Sequence, residues 1–391
     1  MDAREAGLAT DGAPTEPPWA ALTGIVTTVS VFAVAQGLSY PLLSLILERQ
    51  GTSSTLIGVS AAMTPLGIVA SAPCIPFLSR RFGGGATALS CAGLAALLLA
   101  LIGWTQDLTA WFPLRFLLGA AINPLYVLSK VWMITLAPPG RRGRVMGLYT
   151  TVISAGFAAG PLSLLLVGSE GWPPFLVGIA AFVLCGLTLA AVLPRLPRLD
   201  RGGPEASVRS FLPAAPTLMV AVTVAAAIEQ AMLSLLPVYG SAHAMDEASL
   251  SALLAVLIAG NVALQVPLGF AAERWSARSV LIACAIGTVV GCFLLPVSIG
   301  TPLRWPLAFV LGAIAYGIYT MAIVELGERF SGSMLVAGNA AFALMWGIGG
   351  LAGPAATGTV MDAVGVQGLP LTLGFASFGL ACFALLRVRS R

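Results

Sequence analysis

The sequence predicts an all-α membrane protein with twelve transmembrane helices in two pseudo-symmetric six-helix bundles. Three observations support this fold class: the composition, the spacing of the apolar runs, and a repeat between the two halves of the chain. Of the 391 residues, 58% are hydrophobic and 9% are charged, with a mean hydropathy of +0.94. A soluble domain has about 25% charged residues, so the composition excludes an ordinary soluble enzyme. It also excludes a disordered chain, which needs low hydrophobicity.

Twelve apolar runs are long enough to cross a bilayer, because a hydrocarbon core of about 30 Å needs about 20 helical residues. Turn-forming residues such as Gly83-Gly84-Gly85 separate neighbouring runs. The predicted spans are 20–47, 55–79, 86–104, 109–137, 145–168, 173–193, 213–239, 249–272, 279–298, 305–327, 334–361 and 368–386.

Basic residues predict that both termini are cytoplasmic, because short cytoplasmic loops carry an excess of Lys and Arg. Of the 20 basic residues, Arg49 and Arg304 fall outside, Arg115 and Lys130 lie within the fourth span, and the other sixteen are cytoplasmic. The predicted organisation is a disordered cytoplasmic tail (1–18), an N-terminal bundle (19–193), a cytoplasmic linker (194–212), a C-terminal bundle (213–387) and a C-terminal tail (388–391).

The two halves repeat each other at an offset of 193 residues, which predicts parallel bundles related by pseudo-symmetry. The matching pieces are PLRFLLGA (113–120) with PLAFVLGA (306–313), Tyr126 with Tyr319, and Gly160-Pro161 with Gly353-Pro354. Gln36 and Gln230 correspond within one residue.

Charged residues inside the spans are candidate functional residues, because each costs at least about 2.5 kcal/mol on insertion scales. Glu229 lies in the middle of the seventh span with no basic residue in that span. It is a candidate proton carrier or a hydrogen-bonded structural residue. Arg115 and Glu325 are the other candidates for proton coupling. Lys130 either faces the cavity and pairs with an anionic group or extends to the cytoplasmic surface.

Polar and aromatic side chains at similar depths predict a central substrate cavity, and prolines in the first and fourth spans suit such a site. With Lys130, the candidate cavity residues are Gln36, Tyr40, Asn123, Tyr126, Trp132, Gln230, Tyr239, Asn261, Gln265, Tyr319 and Trp346. No catalytic constellation, metal motif or phosphate-binding loop is found in the sequence, so we expect no enzyme activity, no metal and no cofactor. The six cysteines all lie in apolar runs and are expected to be buried thiols.

Loop and helix motifs resemble the major facilitator superfamily from about residue 20 to the end. The family signature G-x-x-x-D-R-x-G-R-R is similar to residues 269–278, whereas the copy after the second span has Arg80 where an acid is expected. By resemblance, the cytoplasmic gate comprises Arg80, Arg81, Gly83, Gly269, Glu273, Arg274 and Arg278. A carboxylate and arginines at such a turn can pair and hold one face shut.

Two further motifs resemble proton-coupled antiporters of that superfamily. Arg115 and Gly119 match an R-x-x-x-G pattern in the fourth span. In the fifth span, Gly147, Gly156, Gly160 and Pro161 match g-x8-G-x3-G-P, although Leu164-Leu165 replaces the trailing glycine pair. The resemblance implies efflux of drug-like molecules in exchange for protons.

The predicted function is therefore secondary active transport by alternating access, as a proton-coupled exporter of small amphipathic molecules. The alternative is a specific carrier for a sugar, an organic acid or a siderophore-like metabolite. The expected partners are a small-molecule substrate, protons and the lipid bilayer, without nucleic acid. We expect a monomer in a plasma membrane of the bacterial inner-membrane type.

Overall fold

The computed structural model describes residues 19–137, 142–197 and 211–389. Within these ranges the chain forms thirteen α-helices and one 3₁₀ turn (Leu193–Arg195), without β-strands. The helices are α1 (Trp19–Arg49), α2 (Ser54–Ser71), α3 (Cys74–Phe82), α4 (Gly84–Thr105), α5 (Leu108–Leu136), α6 (Arg142–Val167), α7 (Pro173–Val192), α8 (Pro216–Ser241), α9 (Glu247–Trp275), α10 (Ala277–Ser298), α11 (Arg304–Arg329), α12 (Gly332–Val364) and α13 (Gly368–Arg389).

Twelve of these helices, all except α3, are long and apolar enough to cross a membrane. The predicted spans agree with them to within a few residues, except that the second span is divided. There α2 ends at Ser71 and α3 begins at Cys74, with Pro73 between them. Proline lacks a backbone N–H and so interrupts helical hydrogen bonding, which explains the break.

The predicted tails and linker lie partly outside the described residues. This applies to the whole N-terminal tail and to residues 198–210 of the linker. At the other terminus α13 continues to Arg389, so the helix extends past the predicted boundary at residue 387.

The helices pack as two bundles. In the first, α1 packs on α6 and α7, while α5 packs on α2 and α4. In the second, α8 packs on α12, while α11 packs on α9 and α10. The main contacts between the bundles are those of α2 with α12 and of α6 with α9.

Glycines allow the closest helix approaches, and the two bundles use them equivalently. A Cβ at Gly160 of α6 would lie 2.3 Å from the backbone nitrogen of Leu38 in α1. The repeat-related Gly353 of α12 would place its Cβ 2.5 Å from the Cα of Ala227 in α8. The first contact lies within the N-terminal bundle and the second within the C-terminal bundle. They are the close approaches that small residues permit between membrane helices.

Among the described residues, the ion pairs and side-chain hydrogen bonds between the bundles lie at one end of the protein. We call the end where α1 stops at Arg49 the closed end, and the opposite end, which contains α3, the open end. In α9 the buried residues lie between Leu250 and Gly260, followed only by Ala272. Beyond Gly260 the side chains of α9 are half-buried or exposed, with Ala272 as the buried exception.

Candidate functional site

Glu229 lies at the centre of the interface between the bundles. It belongs to α8 and is half-buried among otherwise buried neighbours. The indole of Trp346 from α12 donates a hydrogen bond to its carboxylate. In the described residues no Lys or Arg forms an ion pair with Glu229. The acid predicted as a proton carrier is therefore deep, partly accessible and not neutralised by a basic residue.

Four tyrosines from both bundles interact electrostatically with this carboxylate. They come from α1, α5 and α11 and are Tyr40, Tyr126, Tyr316 and Tyr319. Phe32 packs edge-on against Tyr126 at 4.6 Å, and Phe342 lies 6.4 Å from Tyr319 between ring centroids. The site thus combines one acid with an aromatic lining, contributed by both halves of the chain.

Several buried polar atoms near this acid have no hydrogen-bond partner. They include Gln230 Oε1, which follows Glu229 in α8, and the hydroxyl of Tyr316. Buried polar groups are usually paired, so unpaired ones at an interior site are available to a ligand or to water. Gln36 is already engaged, because it hydrogen-bonds to Tyr126.

Arg115 lies beside the site rather than in contact with the acid. Its side chain is 1% exposed and donates to Ser60 Oγ over 3.2 Å, while its Nε has no partner. Tyr40 interacts electrostatically with both Arg115 and Glu229. The phenol therefore lies in the field of both charges.

Three of the predicted cavity residues bond to backbone or side chains away from this centre. Asn123 donates to the carbonyl oxygen of Ile68 at 2.7 Å, within the first bundle. Trp132 donates to the carbonyl oxygen of Pro197 at 3.3 Å. Tyr239 lies at the closed end and donates to Gln367 Oε1 at 3.3 Å.

Asn261 and Gln265 lie one turn apart on the accessible part of α9, and the Gln265 amide donates to Asn261 Oδ1. Lys130 is exposed on α5, towards the open end, and no described acid forms an ion pair with it. Among the described residues, none of these three has a recorded hydrogen bond or ion pair with Glu229.

Glu325 is paired, unlike Glu229. Its carboxylate accepts from Arg329 at 2.8 Å and lies 3.7 Å from Arg278 Nε. Both contacts lie within the second bundle, at the open end. Arg278, predicted as a gate residue, therefore joins α10 to α11, and Glu325 stabilises this end of the bundle.

The remaining gate residues do not meet across the bundles in this conformation. Arg80, Arg81, Gly83, Glu273 and Arg274 are exposed, and none of the four charged ones has an ion pair among the described residues. A Cβ at Gly269 would meet nothing within 4 Å. Among the described residues, the motif predicted to hold this end shut thus forms no ion pair between the bundles.

Ionic contacts cross the bundles at the closed end. Arg49 at the end of α1 lies 3.0 Å from Glu247 in α9 and 3.4 Å from Glu170. Arg49 also donates to the carbonyl oxygen of Ser169 at 2.7 Å, and the Ser169 hydroxyl donates to Glu247. The loop after α6 is thereby fixed to the first turn of α9.

Asp362, near the end of α12, makes a second contact between the bundles. Its two carboxylate oxygens accept from the backbone N–H groups of Ser54 at 2.8 Å and Thr55 at 2.9 Å. These are the first residues of α2. The sequence motifs do not single out Asp362, Ser169 or Tyr316. The internal repeat does relate two of these residues, since Ser169 and Asp362 are 193 residues apart and occupy equivalent positions in the two halves.

The antiporter-like motif of α6 serves packing against α1. A Cβ at Gly156 would lie 2.7 Å from the carbonyl oxygen of Ser30, close to the Gly160 contact. Pro161 follows within the helix, and Gly147 lies near its start. Because α12 makes equivalent glycine contacts with α8, this glycine spacing alone does not distinguish an antiporter from another protein with closely packed membrane helices.

The family model of the Major Facilitator Superfamily matches residues 25–259 and 218–391. These two matches together include almost the whole chain. The chain belongs to the Major Facilitator Superfamily. It is therefore a multi-pass membrane protein with the fold of secondary transporters, as the loop motifs predicted.

Bacterial relatives are similar along most of their length. The chain is 25% identical over 346 residues to the uncharacterized MFS-type transporter YfkF of Bacillus subtilis (strain 168), covering 86% of this chain and 88% of the relative. It is 24% identical over 360 residues to the uncharacterized MFS-type transporter YcaD of Escherichia coli (strain K12), covering 89% of this chain and 90% of the relative.

Solved structures share the fold at low sequence identity. The nucleoside transporter NupG superposes with a TM-score of 0.79 at 13% identity, over 94% of this chain and 98% of that chain. A bacterial homologue of the human lysosomal transporter Spinster gives a TM-score of 0.74 at 14% identity, over 95% of this chain and 96% of that chain. At these identities the likeness concerns the major facilitator fold alone.

Proposed function

We propose that this superfamily member is a proton-coupled antiporter that exports small amphipathic molecules, with protonated or lipophilic cations as the preferred class. The observation that supports the proposal most directly is Glu229: a deep carboxylate, partly accessible and without a basic partner. We further propose that the protein works as a monomer in a bacterial plasma membrane.

An unpaired carboxylate inside a membrane protein is costly in its charged form. Two events remove that cost at Glu229: uptake of a proton, or arrival of a cation beside the carboxylate. Since both use the same oxygens, each excludes the other. Cation binding then releases a proton, and protonation releases the cation, which is the competition that exchange transport requires.

The lining of the site favours organic cations over small hydrated ions. The four tyrosines and Trp346 around Glu229 provide aromatic faces, which attract cations and pack against flat apolar groups. Gln230 Oε1 is an unpaired acceptor at the same depth. An amine with N–H donors and an aromatic or aliphatic body matches this combination.

The direction of loading follows from the charge distribution. We propose that the open end is cytoplasmic, because Arg80, Arg81 and Arg274 lie there and the positive-inside rule places such residues in the cytoplasm. The site is then accessible from the cytoplasm in this conformation. Movement of the two bundles about the site would expose it to the other side.

Transport in proteoliposomes tests the proposal. Vesicles with an internal pH-sensitive dye and an imposed pH gradient are challenged with tetraphenylphosphonium, a hydrophobic amine, a neutral sugar and a carboxylate. We expect proton movement with the two cations, and none in Glu229→Gln. The matched control is Glu325→Gln, which removes an acid that already has two arginine partners and should keep coupling. Proton movement only with the sugar or the carboxylate would overturn the cation class.

A further inference from the structure

The two contacts that join the bundles at the closed end are equivalent under the internal repeat. Asp362 corresponds to Ser169, and Ser54 corresponds to Glu247, each at the offset of 193 residues. In one contact the end of α12 meets the first turn of α2; in the other, the loop after α6 meets the first turn of α9. Equivalent positions thus meet twice, with the acid at opposite ends of the contact and with different hydrogen bonds.

We propose that Asp362 and Glu247 are the positioning residues that set the balance between the closed and the open state of this end of the protein. The pair of contacts is called the closed-end latch below. The proposal goes beyond the proposed function, because it requires neither a proton nor a particular substrate.

The contact of Asp362 supplies a helix cap from the opposite bundle. The first N–H groups of a helix have no intrahelical partner, and a carboxylate at that position is favourable for its hydrogen bonds and its charge. The cap that α2 supplies from its own side, Ser53 Oγ to the Leu56 N–H, is long at 3.4 Å. Ser54 and Thr55 use Asp362 instead, so separation of the bundles would leave α2 poorly capped.

The contact of Glu247 works through side chains. Glu247 accepts from the Ser169 hydroxyl and pairs with Arg49 at 3.0 Å. Arg49 belongs to the same bundle as Ser169 and also binds its carbonyl oxygen. Opening of this end would therefore separate Glu247 from both partners at once, while Arg49 keeps Glu170 as an alternative partner.

Among the described residues, two other aspartates cap the start of a helix in their own bundle without contacting the opposite bundle, and they serve as a comparison for Asp362. Asp107 caps α5 within its own bundle, accepting from the Ala110 N–H at 3.0 Å, and Asp246 caps α9 from the Ser249 N–H at 3.3 Å. Both lie at the same end of the protein as Asp362. Loss of the Asp107 cap should fray the start of α5 alone, whereas loss of Asp362 should also change how the bundles are arranged.

Hydrogen–deuterium exchange of the full chain in nanodiscs tests the proposal without a substrate. In Asp362→Ala we expect faster exchange in residues 45–58 and, reciprocally, slower exchange in 261–275 of α9, as the open end closes. Removal of an N-cap changes an equilibrium roughly 2- to 30-fold, so the reciprocal change should be of that order. In Asp107→Ala, faster exchange should be confined to the start of α5.

A purely local change in Asp362→Ala, with residues 261–275 unaffected, would overturn the proposal. Two gentler variants guard against misfolding. Asp362→Asn keeps one acceptor oxygen and should shift exchange in the same direction by less. Glu247→Gln should produce the same reciprocal pattern through α9, whereas Glu170→Gln should not. Failure of proton coupling in the vesicle assay would leave this result unchanged, so the two proposals fail separately.

Discussion

Gln36 and Glu229 occupy equivalent positions in the two bundles, 193 residues apart, and only the second is an acid. Gln36 hydrogen-bonds to Tyr126, and Glu229 interacts with the repeat-related Tyr319. A glutamine thus satisfies the packing and hydrogen bonding of this position in one half. The carboxylate in the other half is an addition that packing does not require, which supports a role in proton exchange.

Glu325→Gln is expected to destabilise the protein without affecting coupling. The carboxylate is 5% exposed and has two arginine partners, Arg278 and Arg329. Removal of one member of a buried ion pair leaves charge uncompensated and costs about 3 kcal/mol. Thermal unfolding in detergent should show a lower midpoint than for Glu328→Gln, an exposed acid one turn away. Equal midpoints would contradict the assignment of Glu325 to stability.

Gly160→Ala and Gly353→Ala are expected to impair folding to a similar extent. In each case the new Cβ would overlap backbone atoms of the neighbouring helix, which cannot move aside as a side chain can. Overpacking costs about 1–3 kcal/mol or more. Gly186→Ala is the control, because its Cβ would lie at an ordinary 3.7 Å from Ala92 Cβ. The readout is the yield of monodisperse protein, and a normal yield for either variant would contradict the packing role.

Lys130→Ala tests the alternative of an anion carrier. Lys130 is exposed on α5 and has no ion pair among the described residues. If cations are the substrates, removal of this positive charge should leave their transport intact, as measured by uptake of a labelled amine into vesicles. Selective loss of carboxylate transport with intact sugar transport would instead support a specific carrier of organic acids.

The carboxylate of Asp246 is expected to make the free energy of unfolding depend on pH in the acid range. Hydrogen bonds from the Ser249 side chain and backbone hold the pKa of this carboxyl below its usual value of about 3.9. Its contribution to folding is therefore present above that value and is lost as the pH falls through the lower folded value. The advantage of the wild type over Asp246→Asn in thermal unfolding should shrink progressively as the pH falls below about 4. A constant difference down to about pH 3 would contradict the assignment.

Local sequence patterns were sufficient for the helices but not for the direction in which side chains point. An apolar run of about 20 residues predicts a span by itself, and only the break at Pro73 was missed. Asn123 and Trp132 were predicted to line the cavity, yet they bond to Ile68 and Pro197. Their orientation depends on how the helices are rotated against each other, which composition does not determine.

A contact between the two halves can be predicted from the sequence only when the residues that form it stand out by residue type. Glu229 stood out as an acid within an apolar span. Asp362 did not, because its partners are backbone N–H groups of α2, which have no sequence signature. The repeat offset would have found it by comparison with Ser169, once the role of either residue was known.

Proton release on cation binding tests most directly whether Glu229 exchanges a proton for a cation. Purified protein in weakly buffered detergent is titrated with a saturating hydrophobic cation while the pH is recorded. We expect the wild type to release protons as the cation binds. Glu229→Gln should bind the cation more weakly and release none. Equal proton release by the wild type and by Glu229→Gln would show that another group carries the proton.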